Sequence, residues 1–335
     1  MVSIAIPAYN AGKYIGQCLD CMLAQTYQDF EIVLVDDGST DDTAQVVAGY
    51  DDPRICYYKN EKNLGIVHTL NRAYSLCRGE YIARMDADDI AMPQRLEKQL
   101  ALLESNPQLG IVACWFQHFG DLDNMVRTSV EPEEIRCKLL TSLQLMHSGW
   151  LMRRELVDGG LLYREEYRYA EDWDFLVRAS RVTQLGNVPE VLMLYRIYGD
   201  QSSRVFNGPQ KAAADRVARD QLEYLGLELT QEEFELFRRA FGCREMLLSV
   251  RQMEQLLELL HRMEQANEKK MFYDPRVLHQ VIQEEVYWLC LYNLAMNRRS
   301  GLKLLGSGYD KGLKLGFLGR CKLWVRMGLA AVRGK

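Results

Sequence analysis

Along the first half of the chain, short apolar, β-branched runs alternate with stretches whose apolar residues recur at intervals of three and four. The runs VSIAIP, FEIVLVDD, RICYYKN, EYIARMD and GIVACWF have the length and composition of buried strands. Between them, GKYIGQCLDCMLAQ, STDDTAQVVAGY, GIVHTLNRAYSLCR and MPQRLEKQLALLES carry helical spacing. Strand and helix in alternation predict βαβ units, a mostly parallel sheet and helices on both of its faces. Right-handed crossovers then gather the C-terminal strand ends along one edge, where open α/β sheets bind their ligands. Past about residue 200 the strand signals stop, and TQEEFELFRRAFGCREMLLSVRQMEQLLELLHRMEQ and DPRVLHQVIQEEVYWLCLYNLAMN show the apolar stripe of long helices. The polar, turn-rich GDQSSRVFNGPQ separates the two regimes, giving an α/β domain over 1–205 and a helical region over 206–335.

Three polar loops end the predicted strands: Pro7-Ala8-Tyr9-Asn10, Asp36-Asp37-Gly38-Ser39 and Asp86-Ala87-Asp88-Asp89. Ser39 or Asp41 can cap the following helix, but capping gives no reason for Asp36 and Asp37 at a strand terminus. The third loop sets three carboxylates within four positions. Like charges so close repel and raise one another's pKa unless a cation or a donor network compensates. Asp86 and Asp88 have the D-x-D spacing that holds Mg²⁺ or Mn²⁺ through hard oxygen ligands, with substrate phosphates filling further positions. A second acidic group, Glu171, Asp172 and Asp174 around Trp173, opens a helical stretch. Acids there suit the helix dipole without any chemistry, but together with the polar loop MHSGW they form a second wall to the same crevice, with one carboxylate as general base.

Composition narrows the partners. The net charge of −5 hides an asymmetry, because residues 297–335 hold ten Lys or Arg against one acid. The body is therefore acidic, which excludes a duplex-binding surface and makes nucleic acid an unexpected partner. Nine scattered cysteines in a chain of 335 residues fit reduced thiols in a cytoplasmic compartment. Cys18 and Cys21 make a lone C-x-x-C inside a helical pattern, without the second pair of a zinc site. MVSIAIPAYN enters a strand directly, so no signal peptide is expected, and no apolar run approaches the ~18 residues of a membrane span. Residues 311–335 mix basic side chains with Leu313, Phe317, Trp324 and Met327, although five glycines weaken a helix there. They are expected to lie on an anionic bilayer as an interfacial segment.

Five separated segments, VSIAIPAYNAGKYIGQCLDCMLAQTYQDFEIVLVDDGSTDDT, GEYIARMDADD, MPQRLEKQ, HSGWLMRRE and AEDWDFLVR, together resemble the family-2 glycosyltransferases, inverting enzymes of the GT-A fold. The resemblance covers about residues 1–200 and implies the following. Pro7, Ala8, Tyr9 and Asn10 with Asp37 hold a nucleotide base, Tyr9 by its ring and Asp37 by accepting from a uracil imide. Asp86 and Asp88 hold Mg²⁺ or Mn²⁺ on a diphosphate, with Ala87 between them at the nucleotide. Asp172 takes the acceptor's proton, and His147, Ser148, Gly149, Glu171 and Trp173 line the donor and acceptor pocket. The implied substrates are a UDP-sugar carrying a hexose or N-acetylhexosamine and a hydroxyl of a glycan or lipid-linked oligosaccharide. The setting would be surface polysaccharide synthesis at the inner face of the plasma membrane, with the helical region as acceptor wall, membrane contact or homodimer surface. One departure stands out. Many relatives carry histidine where this chain has Tyr198, a poor ligand at neutral pH, so either Asp88 and water suffice or the metal is held less tightly.

Three other readings fit less. Haloacid-dehalogenase-type phosphotransferases also place D-x-D after a strand, with Asp86 then the nucleophile, but they do not continue as Asp89-Ile90 does. Sugar-1-phosphate nucleotidyltransferases have a Gly-rich, Arg-containing first loop that is missing here. A non-catalytic nucleotide-sugar-binding subunit of a polysaccharide-assembly complex would have no need of Asp86, Asp88 and Asp172 together.

Overall fold

The structure is a computed structural model describing residues 1–198, 207–241 and 247–296. It divides into two compact units, one of Met1–Leu139 and Leu143–Val217, the other of Leu140–Ser142 and the chain from Ala218. In the first unit the chain runs β1 (Val2–Ala8), α1 (Gly12–Leu23), β2 (Phe30–Asp36), α2 (Thr43–Ala48), β3 (Ile55–Lys59), α3 (Ile66–Leu76), β4 (Tyr81–Arg84), β5 (Ile90–Ala91) and α4 (Arg95–Ser105). It continues through β6 (Leu109–Gly120), β7 (Met125–Val126), α5 (Pro132–Lys138), β8 (Leu151–Arg153), α6 (Glu155–Asp158), α7 (Glu171–Ala179) and β9 (Gln184–Ile197) into α8 (Asn207–Tyr224). The segment expected as a turn-rich junction is thus helical from Asn207, and the division between units falls inside α8.

The strands form one sheet in the order β3-β2-β1-β4-β8-β6-β9-β5, with β7 beside β6. β1, β2, β3, β4, β6 and β9 all run one way, and only the short β5, β7 and β8 oppose them. The expected α/β fold class holds, with β5, β7, β8 and the long β9 added to the strands legible in the sequence. β9 escapes a pattern reading because Pro189 and Glu190 interrupt it; they are exposed where the ladder to β6 skips from Val188 to Val191. Proline cannot donate to a ladder, so it sits at the irregularity.

Both faces of the sheet are covered. Ile4, Ile6, Ile32 and Leu34 share one apolar cluster with Ile15, Leu19 and Met22 of α1 and Leu96, Leu100 and Leu103 of α4. Alternate residues of β1 and β2 face α3, whose Val67, Leu70, Ala73 and Tyr74 are buried. Tyr74, Tyr163, Phe175 and Trp150 make an aromatic core beneath α7, with ring centroids 4.7–6.5 Å apart. Arg95, at the start of α4, is wholly buried and satisfied by neutral groups: Nη2 donates to the carbonyls of Arg84 (2.7 Å) and Trp150 (3.1 Å), and Nε to Gln99 Oε1 (3.1 Å). It ties the end of β4 to the start of β8.

The second unit contains α9 (Gln231–Phe241), α10 (Val250–Lys270) and α11 (Pro275–Met296), with α10 packed on both others. Ser249 and Gln252 form a reciprocal capping box at the start of α10, and Met271 ends it in a left-handed conformation. Among the described residues no helix is long and apolar enough to cross a membrane. The basic segment 311–335 lies outside the described residues.

Candidate active site

A cavity of about 660 Å³ opens in the first unit and takes in the ends of β1, β2 and β4. That volume is in the range of small-molecule sites. Pro7, Ala8 and Tyr9 supply one wall, and Tyr9 leaves half its surface open (51% exposed) as a flat apolar face. Beside it lies Asp37, whose backbone N–H donates to Ala8 O (2.7 Å). The Asp37 carboxylate is 4% exposed and accepts three hydrogen bonds, from Asn60 Nδ2 (2.7 Å), Leu64 N–H (2.8 Å) and Gly65 N–H (2.8 Å). It therefore anchors the loop that enters α3 as well as facing the cavity. Gly38 has φ 75°, and a Cβ there would stand 2.7 Å from the backbone of Lys62, so the close approach of these two loops needs glycine. Asp36, fully buried behind them, accepts from Ser39 N–H (2.7 Å) and Tyr57 Oη (2.5 Å). Burial works against its charge, but these donors prevail and hold its pKa below the ordinary value.

The acidic loop forms the floor. Arg84, 2% exposed, makes an ion pair with Asp86, whose backbone N–H donates to Ser148 Oγ (3.1 Å). Asp86, Asp88 and Asp89 bring one carboxylate oxygen each within 4.8 Å of the others. Burial, with the charge of Asp86 next, raises the Asp88 pKa to about 6 against the lowering effect of a hydrogen bond from Tyr198 Oη (3.0 Å). Burial likewise holds Asp89 well above its ordinary value, helped by Asp86 and Asp88. Asp89 Oδ1 accepts from the backbone of Arg196 (2.9 Å), consistent with a local structural role. The hard oxygen donors and their mutual repulsion fit a divalent cation.

The third wall is the start of α7 with the turn before it. Glu171 is 8% exposed, and burial with the neighbouring charge of Asp172 raises its pKa to about 7. Burial also raises Asp172, partly offset by the N–H of Trp173, which donates to its Oδ1 (2.7 Å), and by the charge of Arg84. His147 meets Tyr163 Oη through Nε2 (2.7 Å), and desolvation with Arg84 nearby keeps it neutral, well below its usual pKa. Arg168 and Tyr169 close this side, Tyr169 in a left-handed backbone conformation (φ 77°) uncommon for an aromatic residue.

Pro7, Ala8, Tyr9, Asp37, Asp86, Asp88, His147, Ser148, Glu171 and Asp172 thus share one cavity, although they span 165 positions of sequence. Four expected residues lie outside its wall. Asn10 bridges loops, accepting from Thr40 N–H (2.9 Å) and donating its own N–H to Ser39 Oγ (2.9 Å). Ala87 belongs to the apolar core. Gly149 is buried, its carbonyl accepting from Gln99 Nε2 (2.7 Å). Trp173 turns inward, donating Nε1–H to Leu139 O (2.8 Å), so it supports the wall without facing the crevice. The structure adds Gly65, Thr69, Phe116, Arg168, Tyr169 and Tyr195, among others. Arg168 and Tyr169 directly precede the AEDWDF segment and could have been suspected, whereas Phe116 and Tyr195 meet only through the irregular β6–β9 ladder.

A sheet of this order with acidic loops at its strand ends is the GT-A arrangement of nucleotide-sugar transferases. The sequence profile described as glycosyl transferase family 2 matches residues 3–160. An uncharacterized glycosyltransferase of Haemophilus influenzae is 32% identical over 238 residues, 67% of this chain and 74% of that protein. The chain belongs to glycosyltransferase family 2. An Escherichia coli chondroitin synthase is 31% identical over 236 residues, 68% of this chain but 33% of the synthase, so this chain spans only a third of that enzyme. In fold, the chain is similar to Staphylococcus aureus TarS 1-349 in complex with UDP-GlcNAc, with a TM-score of 0.59 at 18% identity over 93% of this chain and 92% of the other.

Proposed function

We propose that this chain is an inverting glycosyltransferase that moves a hexose or N-acetylhexosamine from a UDP-sugar to a hydroxyl of a glycan or lipid-linked acceptor in surface polysaccharide synthesis. The observation that carries the reading is the convergence of Tyr9, Asp37, the Asp86–Asp88 loop and Asp172 on one cavity. A family relative that makes chondroitin and a fold neighbour seen with UDP-GlcNAc support a sugar nucleotide as donor and a glycan as product.

Tyr9 offers the face on which a base stacks, and Asp37, with three donors already bound, has one acceptor direction left for an imide N–H. Asp86 and Asp88 would hold Mg²⁺ or Mn²⁺, which when bound supplies Lewis-acid neutralisation of the diphosphate. Asp172 takes the proton from the acceptor hydroxyl. The oxygen lone pair forms the new bond to the anomeric carbon, and the old C–O pair leaves with the diphosphate on the opposite face, inverting the configuration. Burial suits Asp172 to this task by making its carboxylate more basic than a solvated one. Neutral His147 is placed to hydrogen-bond a sugar hydroxyl, its Nε2 being engaged by Tyr163. The reaction would take place at the cytoplasmic face of the plasma membrane, where lipid-linked acceptors are presented.

The test is UDP release from a panel of UDP-sugars with glycan acceptors, with and without Mn²⁺ or Mg²⁺. One donor should turn over, chelation should stop it, and Asp172→Asn should abolish transfer while UDP still binds. Transfer retained by Asp172→Asn places the base elsewhere, and binding of a UDP-sugar with no transfer to any acceptor returns the chain to a non-catalytic role.

A further inference from the structure

The end of β9 clamps the acidic loop. Arg196 donates its backbone N–H to Asp89 Oδ1 (2.9 Å) and its Nε–H to Asp88 O (2.8 Å), and its guanidinium lies between the rings of Tyr14 and Phe119, 4.3 and 4.4 Å from their centroids. Two residues on, Tyr198 packs against Tyr14 (5.5 Å between centroids) and donates Oη–H to Asp88 Oδ2 (3.0 Å). Three aromatic contacts and the Arg196 clamp thus fix a phenol on one oxygen of the Asp88 carboxylate.

We infer that Tyr198 is a positioning residue for the cation site: its hydroxyl, held by the β9 clamp, sets the orientation of the Asp88 carboxylate toward the ion. The inference rests on the proposed role of Asp86 and Asp88 in holding a divalent ion. Carboxylate ligands depend on such outer hydrogen bonds for their geometry, and losing one typically weakens metal binding about 10- to 100-fold. The three side chains that bring ligand atoms together are all aspartates, a hard-donor set that suits Mg²⁺ and Mn²⁺ alike.

The experiment titrates the full chain, saturated with UDP, with Mn²⁺ alone, following free Mn²⁺ by electron paramagnetic resonance and scoring Mg²⁺ by competition. Wild type should bind one Mn²⁺ that Mg²⁺ displaces. Tyr198→Phe, with an unchanged melting temperature, should bind both ions roughly 10-fold more weakly. Wild-type affinity for both ions in Tyr198→Phe overturns the positioning role. If wild type binds no ion at all, the metal reading itself fails, and Tyr198 has nothing to position.

Discussion

Asp37 carries two duties that a single substitution can separate. Its carboxylate lines the cavity beside Tyr9, where the proposed function puts the nucleotide base, yet it already accepts from Asn60 Nδ2, Leu64 N–H and Gly65 N–H while 4% exposed. In Asp37→Asn the amide oxygen can keep the two donors on Oδ1, but its NH₂ then points at the Gly65 N–H. One charge-assisted bond is lost, worth about 1.5–3 kcal/mol, while the Gly65 N–H keeps its second acceptor, Asn63 Oδ1 (3.1 Å). Water entering from the cavity recovers part of this, leaving about 2 kcal/mol. For a unit of roughly 200 residues this lowers the melting temperature by about 4–8 °C. The assay is differential scanning calorimetry with and without UDP, paired with UDP titration at a temperature where the variant is folded. Both a lower transition and weaker UDP binding are expected. A variant that melts with wild type but no longer binds UDP would refute the anchoring role, and one that melts early yet binds UDP normally would refute the contact with the base.

Further predictions follow from the same geometry. Glu171 has a pKa of about 7 in the fold against an ordinary 4.5, so between these values the native state keeps a proton that the unfolded chain has lost, and stability declines as pH rises through that window. Glu171→Gln should therefore gain roughly 2–3 kcal/mol over wild type at pH 8 and little at pH 4, read from urea midpoints at the two pH values; an equal effect at both would mean the carboxyl is not held protonated. Gly38→Ala must accept a left-handed φ, costing about 1–2 kcal/mol, and a Cβ against the Lys62 backbone, so both its melting temperature and its UDP affinity should drop.

The parts of this molecule that announce themselves in the sequence are those whose physics is local. β1, β2, β3, β4 and β6 and the helices α1–α4 repeat the apolar periods of their own segments, and the loops after β1, β2 and β4 are marked by polar residues abutting buried runs. What could not be read depends on residues far apart. Nothing in MPQRLEKQ marks Arg95 as a core residue; in the fold it is wholly buried because two distant carbonyls and Gln99 receive its donors. Asp37 reads as a ligand group, and only the arrival of the Asn60–Gly65 segment reveals its structural load. Tyr198 reads as a missing histidine until its hydroxyl is found on a carboxylate 110 positions earlier.

Because β9 closes the sheet only after α7 has been laid down, the stretch matched by the family profile, residues 3–160, holds the Tyr9 and Asp37 wall and the acidic floor but neither Asp172 nor the clamp of Arg196 and Tyr198. An excised fragment ending there would expose the flank of β6 and hold at best half of a catalyst.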